Sequence, residues 1–398
     1  MKILFLSDVF FPRVNGVSTS ISIFMEDLIK LGHKVHLIAP KYYGESNTRN
    51  ITRIESKKVF FDPEDHLMSL KTLNKKIKWI KKQKFDIIHI HTPFVAHFFG
   101  KKLSKKLGIP IIETYHTSFE DYLHLYVPFI PEFLARKLSR FIAKSLCNGV
   151  DALISPSEQL KTTLRSYNIN KPIETIPTGL SKRSYIEKNP HFFRDNYNIK
   201  PNDNLLLYVG RVAHEKNIDF LISSFVHIYQ KQKNTKLLIT GEGPALEHIS
   251  GLIRKFKMEN NIILTGYLER NNELLSCYAA SDLFVFSSKT ETQGLVLIEA
   301  MAQGLPIAAL SINGTESILK NNLGAITPKD NVYDFAEKCL ELLNDKKRLK
   351  MMSLEAKKNA LINWTSEKQA KKLADLYKEV SRKLNFSGLD KEDVFLQN

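Results

Sequence analysis

The segment from Ser287 to Ala302 carries two carboxylates, Glu291 and Glu299, eight residues apart. An apolar, strand-like run from Leu283 to Phe286 precedes it, and a helix-like run opens at Leu295. A strand, a short polar loop with one glycine and a helix start is how an α/β protein builds an anion site. The free N–H groups and positive dipole end of the helix face whatever lies beyond the strand ends. Carboxylates flanking such a terminus accept hydrogen bonds from sugar hydroxyls while the backbone donates to phosphate. The 3.6-residue period sets Glu291 in the loop and Glu299 about two turns into the helix, near the same face. The spacing fits the outline of a nucleotide-sugar site, one carboxylate for the transferred sugar and the other for the ribose, and equally a plain helix entry with a surface glutamate at each end.

Other loops have the same build. Gly210-Arg211-Val212-Ala213-His214-Glu215-Lys216 directly follows a strand-like run. Arg211 and Lys216, five apart, suit a diphosphate gripped from two sides, the guanidinium by paired hydrogen bonds and the ammonium as a point charge. Thr240-Gly241-Glu242-Gly243-Pro244 lacks a full G-x-G-x-x-G spacing and reads as a backbone wall for a nucleotide base or as a simple turn. In Asn15-Gly16-Val17-Ser18, Gly16 lets the backbone approach a ligand closely where a helix begins. Tyr115 and His116 follow the run 109–114, where His116 is placed either to orient an acceptor or the reacting sugar, or to be an ordinary hydrogen-bonded loop histidine. His89 and His91 share one face of a strand and His97 is near in sequence, but no acidic cluster completes a zinc or di-metal set. No metal is expected.

The run 131–144 is helical in pattern. Phe133, Leu134, Leu138, Phe141 and Ile142 form one stripe, and Arg136, Lys137, Arg140 and Lys144 form another. A basic amphipathic helix with aromatic residues suits the interface of an anionic bilayer. The same stripe equally suits packing into a domain core, with the cations as the solvated face. The lysine-rich run Lys71–Lys84, with Ile77, Trp79 and Ile80, is a candidate to extend the membrane surface.

These loops need strands and helices to hold them, and the chain supplies both in alternation. Strands are expected at Ile3–Ser7, Lys34–Ala39, 85–91, Ile109–Thr114, Ala152–Pro156 and Ile173–Ile176, with helices at Val17–Leu31 and about 94–107. A polar stretch, Lys182–Asn204, with Pro190 and Pro201, reads as a linker. A second series follows, with strands at Leu205–Val209, Lys236–Thr240, Asn261–Thr265, Leu283–Ser287 and Pro306–Ala309. Helices are expected at 217–231, 245–257, 271–280, 295–303, 331–343, 346–361 and 366–384. Strand–helix alternation with short connections implies parallel sheets covered on both faces. At 398 residues the chain exceeds what one core usually serves. Two consecutive doubly wound domains with a cleft between them are expected, with ligands beyond the carboxyl ends of the strands.

Composition narrows the class. The chain is 43% apolar and 25% charged, with a mean hydropathy of −0.22, and no apolar run approaches the roughly 18–20 residues that span a bilayer. The apolar start, Ile3–Leu6, reads as a strand rather than a secretory signal. Three widely spaced cysteines, Cys147, Cys277 and Cys339, point to reduced thiols in a cytoplasmic compartment. Net charge is +16 and uneven: residues 1–190 hold 30 Lys/Arg against 17 Asp/Glu, and residues 191–398 hold 28 against 25. The first half, at +13, calls for an anionic partner, nucleic acid or membrane. No nucleic-acid-reading motif or aromatic stacking platform accompanies the cations, which speaks against a basic nucleic-acid-binding α/β protein.

Together, Asn15-Gly16-Val17, Gly210-Arg211 with Lys216, Gly241-Glu242-Gly243-Pro244, and Glu291/Glu299 with Gln293-Gly294-Leu295 between them resemble a family-4 retaining glycosyltransferase. The resemblance covers nearly the whole chain and implies the GT-B fold, an α/β architecture of two doubly wound Rossmann-like domains facing an interdomain cleft. It implies an acceptor domain over 1–185, a nucleotide-sugar domain over 186–374, and a C-terminal helix, from about 375 to 398, that returns to the first domain. It implies that Arg211 and Lys216 bind the donor diphosphate and stabilise the departing nucleotide. Glu299 would hold the ribose, Glu291 with the backbone of Gln293, Gly294 and Leu295 the transferred sugar, and Gly16 and Gly241 would flank the donor. His116 would sit near the anomeric carbon. No cofactor and no metal are implied, since cations and helix dipoles stabilise the leaving group.

Tyr115-His116-Thr117 resembles the corresponding loop of bacterial diacylglycerol glucosyltransferases, and Asn15-Gly16-Val17-Ser18 resembles that of GDP-mannose-dependent mannosyltransferases. With the basic helix, this points to a lipid acceptor on the inner, anionic membrane face, UDP-glucose favoured as donor. The alternatives are a GDP-mannose donor, or a soluble or lipopolysaccharide sugar acceptor.

Overall fold

The computed structural model describes residues 1–58, 66–116, 131–186, 188–270 and 272–395. The chain divides into two compact units. One begins at Met1, leaves off at Gly179 and resumes at Ser366; the other is built on Leu180–Thr365.

In the first unit β1 (Lys2–Leu6), β2 (Lys34–Pro40) and β3 (Ile51–Ile54) are followed by a small antiparallel pair, β4 (Ser56–Lys58) and β5 (His66–Met68). β6 (Ile87–Ile90), β7 (Ile111–Thr114), β8 (Ala152–Ser155) and β9 (Ile173–Thr175) complete a parallel sheet of order β3-β2-β1-β6-β7-β8-β9. Strands buried on both faces must be apolar throughout, and Ile3–Leu6 is fully buried. Its alternate residues face opposite cores: Leu4 and Leu6 pack with Phe99 and Leu103, and Ile3 and Phe5 with Ile21 and Leu28.

The second face is closed by the helix Ser366–Phe395. Ala370, Leu373, Ala374, Tyr377 and Val380 sit at 3- and 4-residue spacing and join the core of the first unit. The helix Leu70–Gln83 departs from the expectation for the lysine-rich run. Its Leu73 and Ile80 are fully buried, and Ile77 and Trp79 pack partly buried against the same core, so Ile77, Trp79 and Ile80 serve the core, while Leu70 at the helix start is exposed.

The second unit holds β10 (Asn204–Val209), β11 (Thr235–Thr240), β12 (Ile262–Gly266), β13 (Leu283–Phe286), β14 (Ile307–Ala309) and β15 (Ala325–Ile326). They form a parallel sheet of order β12-β11-β10-β13-β14-β15. The stretch read as a linker is folded onto this unit. Its helix Pro190–Asn196 buries Phe193 in the core, and Arg194 bonds to Asp282 at 2.8 Å and to the Ala280 carbonyl. Polar composition concealed a short helix anchored by one aromatic and one guanidinium.

Strand order reverses between β1 and β6 in one sheet and between β10 and β13 in the other. Such switch points splay the following loops apart and leave a crevice for ligand. The loops at Gly16, Arg211–Lys216 and Glu291–Leu295 follow β1, β10 and β13. Among the described residues no helix is long and apolar enough to cross a membrane.

Candidate active site

In the second unit the loops after β10 and β13 are laced together. Ser287 Oγ donates to the Asn217 carbonyl at 2.8 Å, and Asn217 Nδ2 returns a bond to the Ser287 carbonyl at 3.2 Å. Asn217 takes a left-handed conformation (φ 56°), ending the turn His214–Lys216 and starting the helix Ile218–Lys231. This fixes Lys216, whose Nζ lies 2.6 Å from Glu291 Oε1 with both side chains largely buried. Burial alone would raise the Glu291 carboxyl, but the adjoining Lys216 ammonium overcomes it and holds the group below the ordinary carboxylate range.

Gly294 (φ 93°) starts the helix Leu295–Ala302 without a side-chain cap, so the helix N-terminus keeps its backbone donors for an anion. Gln293 is buried beside it. The loop is braced from behind by Asn313 and Gly314, a pair that sequence reading passed over. Gly314 N donates to the Glu291 carbonyl at 2.8 Å, and a Cβ on Gly314 would stand 2.3 Å from the Thr292 carbonyl. The Asn-Gly dipeptide, a turn signal, was the available clue.

Glu299 lies in the second turn of this helix, which begins at Leu295 as the sequence predicts, and is buried. Each of its oxygens is engaged. Arg270 donates to Oε1 and Tyr278 Oη donates to Oε2 at 3.1 Å. The carboxylate raises the Arg270 guanidinium further; burial first, and then Glu299, pushes up the Tyr278 phenol. Neither partner was legible in sequence, because both reach Glu299 from other elements.

Arg211 follows Gly210, and Tyr208 Oη donates to the Arg211 carbonyl at 3.2 Å. The Gly241–Gly243 turn crosses this loop. Val212 N donates to the Glu242 carbonyl and Ala245 N to the Val212 carbonyl, both at 2.9 Å. A Cβ on Gly241 (φ 132°) would lie 1.9 Å from the Gly210 carbonyl oxygen. Its glycine is therefore required by loop packing, whatever the turn also presents to a ligand.

In the first unit Asn15 caps the helix Gly16–Lys30, its side chain accepting from Ser18 N at 2.8 Å. Gly16 is exposed, and nothing lies within 4 Å of where its Cβ would be. Across the switch point, Asp8 accepts from Thr92 Oγ1 at 2.8 Å and from Ala96 N at 2.9 Å, binding the β1 and β6 loops together.

His116 is half-buried after β7, and burial lowers its imidazole to about 4. Its Nε2 meets His91 Nδ1 at 3.4 Å. Tyr115 is buried in the core. Residues 117–130, which hold the rest of that loop, lie outside the described residues. His97 pairs with Glu113 at 2.8 Å in the interior. Among the described residues no three His, Cys, Asp or Glu gather as metal ligands.

The helix Glu132–Cys147 shows which of its faces is buried. Ala135, Ser139, Ala143 and Cys147, at four-residue spacing, are the buried face. Phe133 and Phe141 are 68% and 70% exposed, and Leu134, Leu138 and Ile142 are exposed as well. Arg136, Lys137, Arg140 and Lys144 are exposed beside them. The small residues let the helix pack closely, and the large apolar residues are left outside. Core packing is thus not what the stripe does.

Two family models match the chain: Glycosyltransferase Family 4 over residues 14–182, and Glycosyl transferases group 1 over residues 191–359. Alpha-monoglucosyldiacylglycerol synthase of Streptococcus pneumoniae is 29% identical over 78% of this chain and 71% of its own length. The protein of the same name from Acholeplasma laidlawii is 28% identical over 77% of this chain and 79% of its own. Among solved structures, sucrose-phosphate synthase from Thermosynechococcus elongatus superposes with a TM-score of 0.78 at 18% identity, covering 96% of this chain and 99% of that one. Two parallel doubly wound sheets, loops of the expected type at both switch points and both family models meet in one conclusion: the chain belongs to glycosyltransferase family 4 and has the GT-B fold.

Proposed function

We propose that this protein is a retaining hexosyltransferase that uses a nucleotide sugar, UDP-glucose before others, to glycosylate a membrane lipid such as diacylglycerol. The observation that carries the reading is Lys216 held against Glu291 beside the uncapped helix start at Gly294. One loop pair thereby offers a cation, a carboxylate and backbone donors, the set that a sugar diphosphate needs. Arg211 and Lys216 take the diphosphate and neutralise charge as the nucleotide leaves, the part that a divalent ion plays elsewhere. Glu299, oriented by Tyr278 and Arg270, accepts from the ribose hydroxyls.

Transfer proceeds on one face of the sugar. The bond from C1 to the phosphate oxygen breaks and the bond from C1 to the acceptor oxygen forms. The acceptor proton passes to a donor phosphate oxygen, and no protein base is assigned. His116, neutral at physiological pH, positions the sugar. The name shared by two relatives supports a glucosyl diacylglycerol product, and the exposed phenylalanines beside four cations support a peripheral site on an anionic, cytoplasmic membrane face.

The test is a matrix of UDP- and GDP-sugars against diacylglycerol, monoglycosyl lipid, phosphatidylinositol and a soluble sugar, read by product mass in the presence of EDTA. A hexosyl lipid formed only with UDP-glucose is expected. Turnover only with GDP-mannose or only on the soluble acceptor replaces the donor or acceptor assignment. Abolition by EDTA overturns metal independence.

A further inference from the structure

We propose that buried His91 is a positioning residue that fixes the tautomer of His116, so that His116 carries its proton on Nδ1 and offers an N–H donor. The inference rests on the reading of His116 as the sugar-positioning group and adds how that group is set.

The two imidazoles are 3.4 Å apart between His91 Nδ1 and His116 Nε2. Their centroids are 5.6 Å apart and their planes 23° from parallel. So long a centroid distance with so short a nitrogen contact means that the rings meet edge to edge, the geometry of an N–H···N bond. One ring must donate and the other accept. Burial holds both rings neutral: it carries His91 well below the ordinary range and His116 to about 4.

The direction of the bond follows from the other nitrogen of His91. His91 is 1% exposed, and its Nε2 has no hydrogen-bond partner among the described residues. A buried N–H without an acceptor is the costlier orphan, and a bare ring lone pair the more tolerable one. The His91 proton therefore sits on Nδ1 and points at His116 Nε2. His116 must accept there and carry its own proton on Nδ1, leaving it unable to serve as a base through either nitrogen.

The plane of His91 is held in turn. Its ring lies against that of His89, centroids 4.0 Å apart and planes tilted by 34°. His89 is pinned at both nitrogens, at 2.7 Å from Tyr377 Oη and 2.7 Å from Thr114 Oγ1. Hydroxyls donate or accept as required, so His89 is satisfied in either tautomer. A tyrosine of the C-terminal helix thus braces the stack behind His116.

The experiment is two-bond 1H–15N correlation on the full chain labelled in histidine, with His116 assigned from His116→Gln. The wild type should show His116 protonated at Nδ1 and bare at Nε2. His91→Leu should blur or reverse that pattern and lower kcat about tenfold, the worth of one hydrogen bond of about 1.4 kcal/mol, with donor KM moved by no more than about twofold. His91→Asn, whose amide N–H stands near the ring Nδ1–H, should restore both. An Nε2-protonated His116 in the wild type overturns the inference, and so does an unchanged His116 spectrum in His91→Leu. If His91→Leu does not fold, the wild-type spectrum and His91→Asn still decide. If the tautomer is as stated but His116→Ala transfers sugar at the full rate, the role of His116 falls while its relation to His91 stands.

Discussion

Lys216 Nζ and Glu291 Oε1, 75 positions apart in sequence, lie 2.6 Å apart on neighbouring loops of the second unit. Each is the other's counter-ion, so that under the proposed function a donor phosphate would meet an ammonium already oriented and a sugar hydroxyl a carboxylate already ionised. Lys216→Ala should lower kcat by orders of magnitude and also destabilise the fold by roughly 1–3 kcal/mol, since it strands a buried carboxylate. Lys216→Met combined with Glu291→Leu should recover the stability and none of the activity. Denaturant melts beside initial rates make the comparison. A double variant no more stable than Lys216→Ala would show that the pair is not what the single change breaks.

Acidification should act through the buried histidines. An unfolded His116 titrates near pH 6.5 and the folded one at about 4. Between those values the unfolded chain binds more protons, so stability is fully present above about pH 6.5 and declines as pH falls toward 4. Glu291, depressed below its ordinary value, adds a further loss at lower pH. The same neutrality predicts no histidine limb near pH 6.5 that belongs to His116 in kcat/KM. A limb there that vanishes in His116→Gln would contradict it.

Gly16 and Gly241 should part company on substitution. Open space surrounds the Gly16 Cβ position, so Gly16→Ala should fold normally, or gain about 0.4–1 kcal/mol, while donor KM rises if the ligand approaches there. Gly241→Ala, 1.9 Å from the Gly210 carbonyl, should cost roughly 2–4 kcal/mol. Thermal melts and donor titration separate the two; equal losses of stability would refute the contrast.

The exposed helix makes the opposite pair of tests. Phe133→Ser with Phe141→Ser should leave stability within about 0.5 kcal/mol, because both rings are largely in solvent, yet abolish flotation with anionic vesicles. Ala143→Leu on the buried face should destabilise by roughly 1–3 kcal/mol without touching the outer surface. Full flotation of the double serine variant would remove the membrane role of this helix.

Read alone, the sequence determined the α/β class, the strands that carry the loops and the residue types within them. Those follow from local signals: apolar runs such as Leu283–Phe286, the glycine at 294 and the alternation of periods two and 3.6. It also offered Arg211, Lys216, Glu291 and Glu299 as candidates, because each lies in or just beyond a short strand-end loop. Tertiary structure alone decided which partners these groups have. Arg270 and Tyr278 reach Glu299, and Tyr377 reaches His89 from 288 positions away, and distance along the chain carries no trace of such pairings. It also decided which face of Glu132–Cys147 is inward. Pattern reading assumes that large apolar residues are buried, whereas close packing here selected Ala135, Ser139 and Ala143. That choice depends on how near the sheet stands, a quantity that no local window contains.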